Sequence, residues 1–178
     1  MQKASGRSND LPISGIAGAL LTEDRERLAA LQSRLASMHV VRLVFSQVGF
    51  PLAATDPIIR QIQDQGAEVV MIDLDPADLR RGIHAIELLH ATTTNIAIFA
   101  IGEMRDPNHI VAAMRAGAGE FVERAAGVDE LLEAFNRFLV SRSRARGVAV
   151  VLLFSSQSAC DCSESAFPYK RHGAHNRH

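Results

Sequence analysis

The stretch Glu68-Val69-Val70-Met71-Ile72-Asp73 decides the fold. A continuous apolar run closing on a carboxylate reads as a strand buried on both faces, as in a parallel sheet, and it delivers an acid to the strand's C-terminal end. Ligands and chemistry gather at that end of open α/β sheets. A second apolar run, Ile16 to Leu21, leads directly to the acidic pair Glu23-Asp24. One parallel sheet would therefore bring Glu23, Asp24 and Asp73 to a single rim, a constellation suited to a cation or a phosphoryl group.

Outward from this strand, short apolar runs alternate with amphipathic segments five times, the pattern of successive βα units in a sheet covered on both faces. The spacing predicts strands over 16–22, 40–45, 68–73, 96–101 and 120–123. It predicts helices over about 24–37, 56–65, 77–90, 107–116 and 128–140. In the first helix Leu28, Leu31, Leu35 and Ala36 make the apolar stripe, which leaves its arginines on the opposite, solvated side. Ile58, Ile59 and Ile62 form the buried face of the second, and Leu79, Ile83, Ile86 and Leu89 that of the third. Ile110, Ala113 and Met114 play this part in the fourth, and Leu131, Leu132, Phe135 and Leu139 in the fifth. Asp56-Pro57, Asp75-Pro76 and Asp106-Pro107 are natural entries into helices, so Asp75 reads as a turn residue.

Composition narrows the function. With 178 residues, 47% apolar and 22% charged, the chain has material for one globular domain and a short appendage. A formal net charge of −1 and the absence of a basic stripe with interleaved aromatics argue against a nucleic-acid partner. Residues 1–15 are polar and turn-rich, read as a disordered N-terminus without the apolar core of a signal peptide. No apolar run approaches the roughly 20 residues that a bilayer span needs, so the expectation is a cytoplasmic protein. Cys160 and Cys162 are separated by one residue, too close for an ordinary disulfide framework.

Residues 16–140 form the expected domain, 141–147 a basic linker, and 148–178 a last apolar run, Val148 to Phe154, with a tail rich in Ser, Cys and His. Cys160, Cys162, His172, His175 and His178 are possible metal ligands, but their spacing is not that of a zinc finger. The tail lacks the apolar residues needed to fold around an ion, and disorder is the expectation.

Five βα units with acids after strand one and at the end of strand three resemble the receiver domain of two-component response regulators. The segment Met114-Arg-Ala-Gly-Ala-Gly-Glu-Phe-Val122 resembles that family's exit from helix four into strand five. The resemblance covers roughly residues 16–140. It implies a (βα)5 flavodoxin-like, CheY-like doubly wound parallel sheet in three α/β/α layers. It also implies Mg2+ held by Glu23, Asp24 and Asp73, with Asp73 accepting phosphate from a histidine kinase. A hard divalent cation suits such carboxylate oxygens and offsets phosphoryl charge.

Two departures bear on mechanism. The family places Thr or Ser at the end of strand four and Lys at the end of strand five. Those positions are read here as Ala100 and Arg124, with Ala125 in place of the usual following proline. Ala100 has no hydroxyl to follow a phosphoryl oxygen, and a guanidinium is not interchangeable with a compact ammonium. Pro76 also stands three positions after Asp73, one fewer than usual.

An atypical receiver followed by a basic linker and an apolar strand further resembles the N-terminal part of TadZ/CpaE-type pilus-assembly ATPases. In those proteins the strand leads into a deviant Walker A loop. Residues Ser155 to Cys162 contain neither glycine nor lysine, so no nucleotide site is expected. The resulting expectation is a non-enzymatic pseudo-receiver acting through protein contacts in pilus assembly or polar localisation, with a homodimer through helix four, strand five and helix five as one arrangement. The alternatives are a conventional phosphorelay receiver phosphorylated on Asp73, and a fragment of an ATPase of that type lacking its nucleotide-binding domain.

Overall fold

The computed structural model describes residues 15–146, with side chains described through residue 142. The expectations for the N-terminal 1–14, for Val148 to Phe154, and for the tail with Cys160, Cys162 and its histidines lie outside these residues. The elements run β1 (Ile16–Thr22), α1 (Arg25–Ala36), β2 (Val41–Val48), α2 (Pro57–Asp64), β3 (Val69–Asp73), α3 (Leu79–Thr92), β4 (Ala97–Gly102), α4 (Pro107–Ala116), β5 (Glu120–Glu123) and α5 (Val128–Arg146). All five strands are parallel, in the order β2-β1-β3-β4-β5. This is the flavodoxin-like doubly wound order, whose topological switch point falls between β1 and β3.

The apolar runs explain the centre of the sheet. Every residue of β1 and of β3 is buried. Parallel strands covered on both faces cannot alternate in polarity, and these do not. On one face Leu20, Val69, Met71, Phe99 and Ile101 pack with Leu31 and Leu35 of α1 and Leu131 and Phe135 of α5. On the other, Leu21, Val70, Ile72 and Ala100 pack with Ile59 and Ile62 of α2, Ile86 and Leu89 of α3, and Ala113 of α4.

Helix entries follow the capping residues. Asp56 accepts the Ile58 N–H at 3.0 Å with Pro57 at the first helical position, and Asp106 accepts the Asn108 N–H at 2.9 Å ahead of Pro107. Helix α4 ends at Gly117, whose φ of 111° is the left-handed conformation that favours glycine.

Five expectations need correction. Strand β2 continues to Val48, because its polar residues sit on an edge strand: Ser46 pairs with Leu20 and its Oγ accepts from Gln32 Nε2 at 2.6 Å. Helix α5 does not stop at Val140 but runs to Arg146, so residues 141–146 are helix where a linker was expected. Met114 and Ala36 are exposed rather than buried; Ala116 with Ala113 takes the inner face of α4, and Leu31 with Leu35 that of α1. The arginines of α1 are not all solvated: Arg27 and Arg34 are partly buried at the sheet's C-terminal rim.

Candidate functional site

Asp73 is the last residue of β3, at the switch point, and its side chain is 0% exposed. A buried carboxylate needs compensation from charge and hydrogen bonds. Three neighbours from three elements supply it. The Thr22 hydroxyl, at the end of β1, donates to Asp73 Oδ2 at 2.9 Å. Arg124 Nε, just beyond β5, donates to Oδ1 at 2.9 Å. Arg27 Nε, from the first turn of α1, lies 3.2 Å from Oδ2 as an ion pair, without hydrogen-bond geometry.

Each of these groups is itself anchored. The Thr22 Oγ1 also accepts the Asp24 N–H at 3.2 Å, so the hydroxyl is engaged both as donor and as acceptor. Arg124 donates from Nη2 to the Leu74 carbonyl and from Nη1 to Glu103 at 3.3 Å. The Arg124 backbone N–H donates to the Gly102 carbonyl at 2.7 Å, and its carbonyl accepts from Arg34 Nη1 at 2.6 Å. Arg27 Nη2 donates to Asp75 Oδ2 at 2.5 Å.

The other acids are committed elsewhere. Asp24 is the N-cap of α1, its Oδ1 accepting from the Glu26 and Arg27 N–H groups at 2.7 and 3.0 Å. Those two backbone hydrogen bonds, with a smaller contribution from the Arg27 charge, hold its pKa below the usual carboxylate value. Glu23 faces Arg81 of α3, with its Oε1 2.6 Å from Nη1. Asp75 accepts the Ala77 N–H at 2.8 Å, the turn expected of Asp-Pro, and this bond together with Arg27 lowers its pKa. Burial pulls the Arg27 pKa down, but the hydrogen bond to Asp75 and the charges of Asp73, Asp75 and Asp24 outweigh it and raise it.

The rim thus gathers the expected acids without turning them toward one another. Asp24 and Asp73 meet only through Arg27, whose Nε is 3.7 Å from Asp24 Oδ2, while Glu23 is turned to α3. A divalent ion would need oxygens that are already engaged with N–H groups, a hydroxyl or guanidiniums. Among the described residues no three His, Cys, Asp or Glu side chains form a group that could hold a metal. The donor set as arranged does not fit Mg2+.

The strand-four position also moves. Ala100 is internal to β4, fully buried between Ile72 and Phe121, and the strand ends at Gly102. Neither residue carries a hydroxyl. A Cβ at Gly102 would stand 2.9 Å from Phe121 Cζ, so the end of β4 has little room for a side chain. Thr22 and Arg27 were missed by sequence reading. Thr22 left one signal, a polar residue closing an otherwise apolar buried strand; Arg27 left none.

No family model and no curated protein matches this sequence. Solved structures do. The chain has the CheY-like receiver fold, and its structural neighbours are CheY-like receiver domains. One is a CheY-like protein, tadZ, from Pseudomonas aeruginosa, 26% identical with a TM-score of 0.56 over 69% of this chain and 92% of that one. Another is a pilus assembly-related protein from Burkholderia pseudomallei, 24% identical with a TM-score of 0.54 over 69% and 89%. A third is a receiver domain protein from Methanospirillum hungatei, 15% identical with a TM-score of 0.55 over 74% and 99%. The fold supports a signalling-domain role. Among the described residues no helix is long and apolar enough to cross a membrane.

Proposed function

We propose that this protein is a pseudo-receiver, a signalling or localisation module that acts by protein contacts without phosphorylation, in pilus assembly or polar localisation. One observation carries the reading: the carboxylate at the phosphoacceptor position, Asp73, is buried and held by Arg124, Arg27 and Thr22. A carboxylate so compensated presents no free oxygen to an incoming phosphoryl group, and taking one would break buried hydrogen bonds. The end of β4 at Gly102 lacks a hydroxyl with which to follow such a group. The likeness to a tadZ protein and to a pilus assembly-related protein supports the proposed setting.

The conventional reading has one observation of its own, the placement of Asp73 at the C-terminal end of β3 in a fold shared with response-regulator receivers. Incubation of the full chain with acetyl phosphate and Mg2+, read by intact mass with Asp73→Asn as control, separates the two. The pseudo-receiver remains unmodified. Stoichiometric, Mg2+-dependent labelling that disappears in Asp73→Asn would establish the conventional receiver instead.

A further inference from the structure

We infer that Arg27 takes the place of the divalent cation that the receiver resemblance implies at this rim, so that removing its charge opens the rim to a metal ion. The inference rests on the pseudo-receiver reading and gives it a physical cause. One guanidinium spans three carboxylates from two edges of the switch point. Its Nε is 3.2 Å from Asp73 Oδ2 and 3.7 Å from Asp24 Oδ2, and its Nη2 is 2.5 Å from Asp75 Oδ2. These three acids are contributed by the end of β3, the N-cap of α1 and the loop after β3.

The placement follows from helix geometry. Arg27 stands three residues after the N-cap Asp24, and long helical side chains lean back toward the helix N-terminus. The side chain therefore reaches over the rim rather than away from it, and the α1–β1 packing holds it there. Its charge sits where a dication would have to enter, in competition for the same oxygens and in repulsion with anything cationic nearby. A planar fork that engages several acids is a role for arginine, which stays protonated throughout the accessible pH range.

Without this charge, Arg124 remains beside Asp73 and Asp75 but not Asp24, and the Oδ2 atoms of Asp24 and Asp75 lose their cation, which leaves the rim with the excess negative charge that draws a hard cation to carboxylate oxygens. The test is Mn2+ binding by the full chain, followed by electron paramagnetic resonance, in wild type, Arg27→Met, Arg27→Gln and Arg27→Lys. Circular dichroism identifies the folded variants. Wild type and Arg27→Lys take up no Mn2+ in the low-millimolar range, whereas the two neutral variants gain at least about tenfold in affinity. Adding Asp73→Asn to either abolishes the gain.

Should Arg27→Met lose its fold, Arg27→Gln carries the comparison with a side chain that keeps a hydrogen-bond donor. The inference is overturned if wild type binds Mn2+ as tightly as the neutral variants, or if a folded neutral variant gains nothing. A wild type that refuses acetyl phosphate while its neutral variants gain no metal sinks the role of Arg27 alone. A wild type that accepts phosphate sinks the pseudo-receiver reading, whatever the variants do.

Discussion

Strand β3 carries a carboxylate at each end, and the two live differently. Glu68 precedes the strand, with its side chain 34% exposed; its Oε2 accepts the Ala17 N–H at 3.2 Å and its Oε1 accepts from Arg142 of α5. Asp73 closes the strand, 0% exposed, with two guanidiniums and a hydroxyl around it. Both ends show an acid, an arginine and a short distance. Burial, rather than contact, separates a surface fastening from a site. Water shares the charge of Glu68, while the protein alone must answer that of Asp73.

The largest effect that would break this contrast belongs to Arg124. Arg124→Ala leaves a buried carboxylate with Arg27 as its remaining cation, and chemical denaturation should register a loss on the order of 3 kcal/mol. A loss as small as that of a surface pair would mean that Asp73 is hydrated and the contrast false. Thr22→Val, nearly equal in volume, removes the hydroxyl that donates to Asp73 and accepts from Asp24. Its expected cost is about 1–3 kcal/mol, read in the same way.

At the other end of the strand, Arg142→Ala should cost under about 1 kcal/mol, and the difference should shrink in high salt. The smallest effect is in acid. The folded-state pKa of Asp75 is depressed, first by the Ala77 N–H and then by Arg27, below its ordinary value of 3.8. A depressed pKa contributes stability that is present above 3.8 and lost as pH falls through the folded value. Asp75→Asn should therefore be less stable than wild type at neutral pH, with the gap closing below that value in urea melts taken across the acid range.

The same contrast marks what was legible in the sequence. The sheet could be read because β1 and β3 are buried on both faces and so spell continuous apolar runs. Asp73 was legible because a carboxylate ends one of them. The edge strand β2 was cut short at Phe45 because Ser46 and Gln47 carry no apolar signal, although the backbone pairing continues through them to Val48.

The partners of Asp73 were not legible, since each lies 46 to 51 positions away in the chain and reaches it only through the fold. Arg27 lies among charged residues on a helix and reads as part of a solvated face; only the packing of α1 against the rim turns it inward. Ala100 reads as the family's strand-four position inside a strand predicted over 96–101; the strand runs one residue further, to Gly102, which has no side chain to announce itself.

Asp73 is committed to the protein's own cations, and a pair of double-mutant cycles measures that commitment. One cycle takes Asp73→Asn with Arg124→Met, the other Glu68→Gln with Arg142→Met, each followed by urea denaturation at neutral pH. A coupling of about 2 kcal/mol or more at the rim, against less than about 1 at the base of the strand, is the predicted result. Equal couplings at the two ends would contradict it.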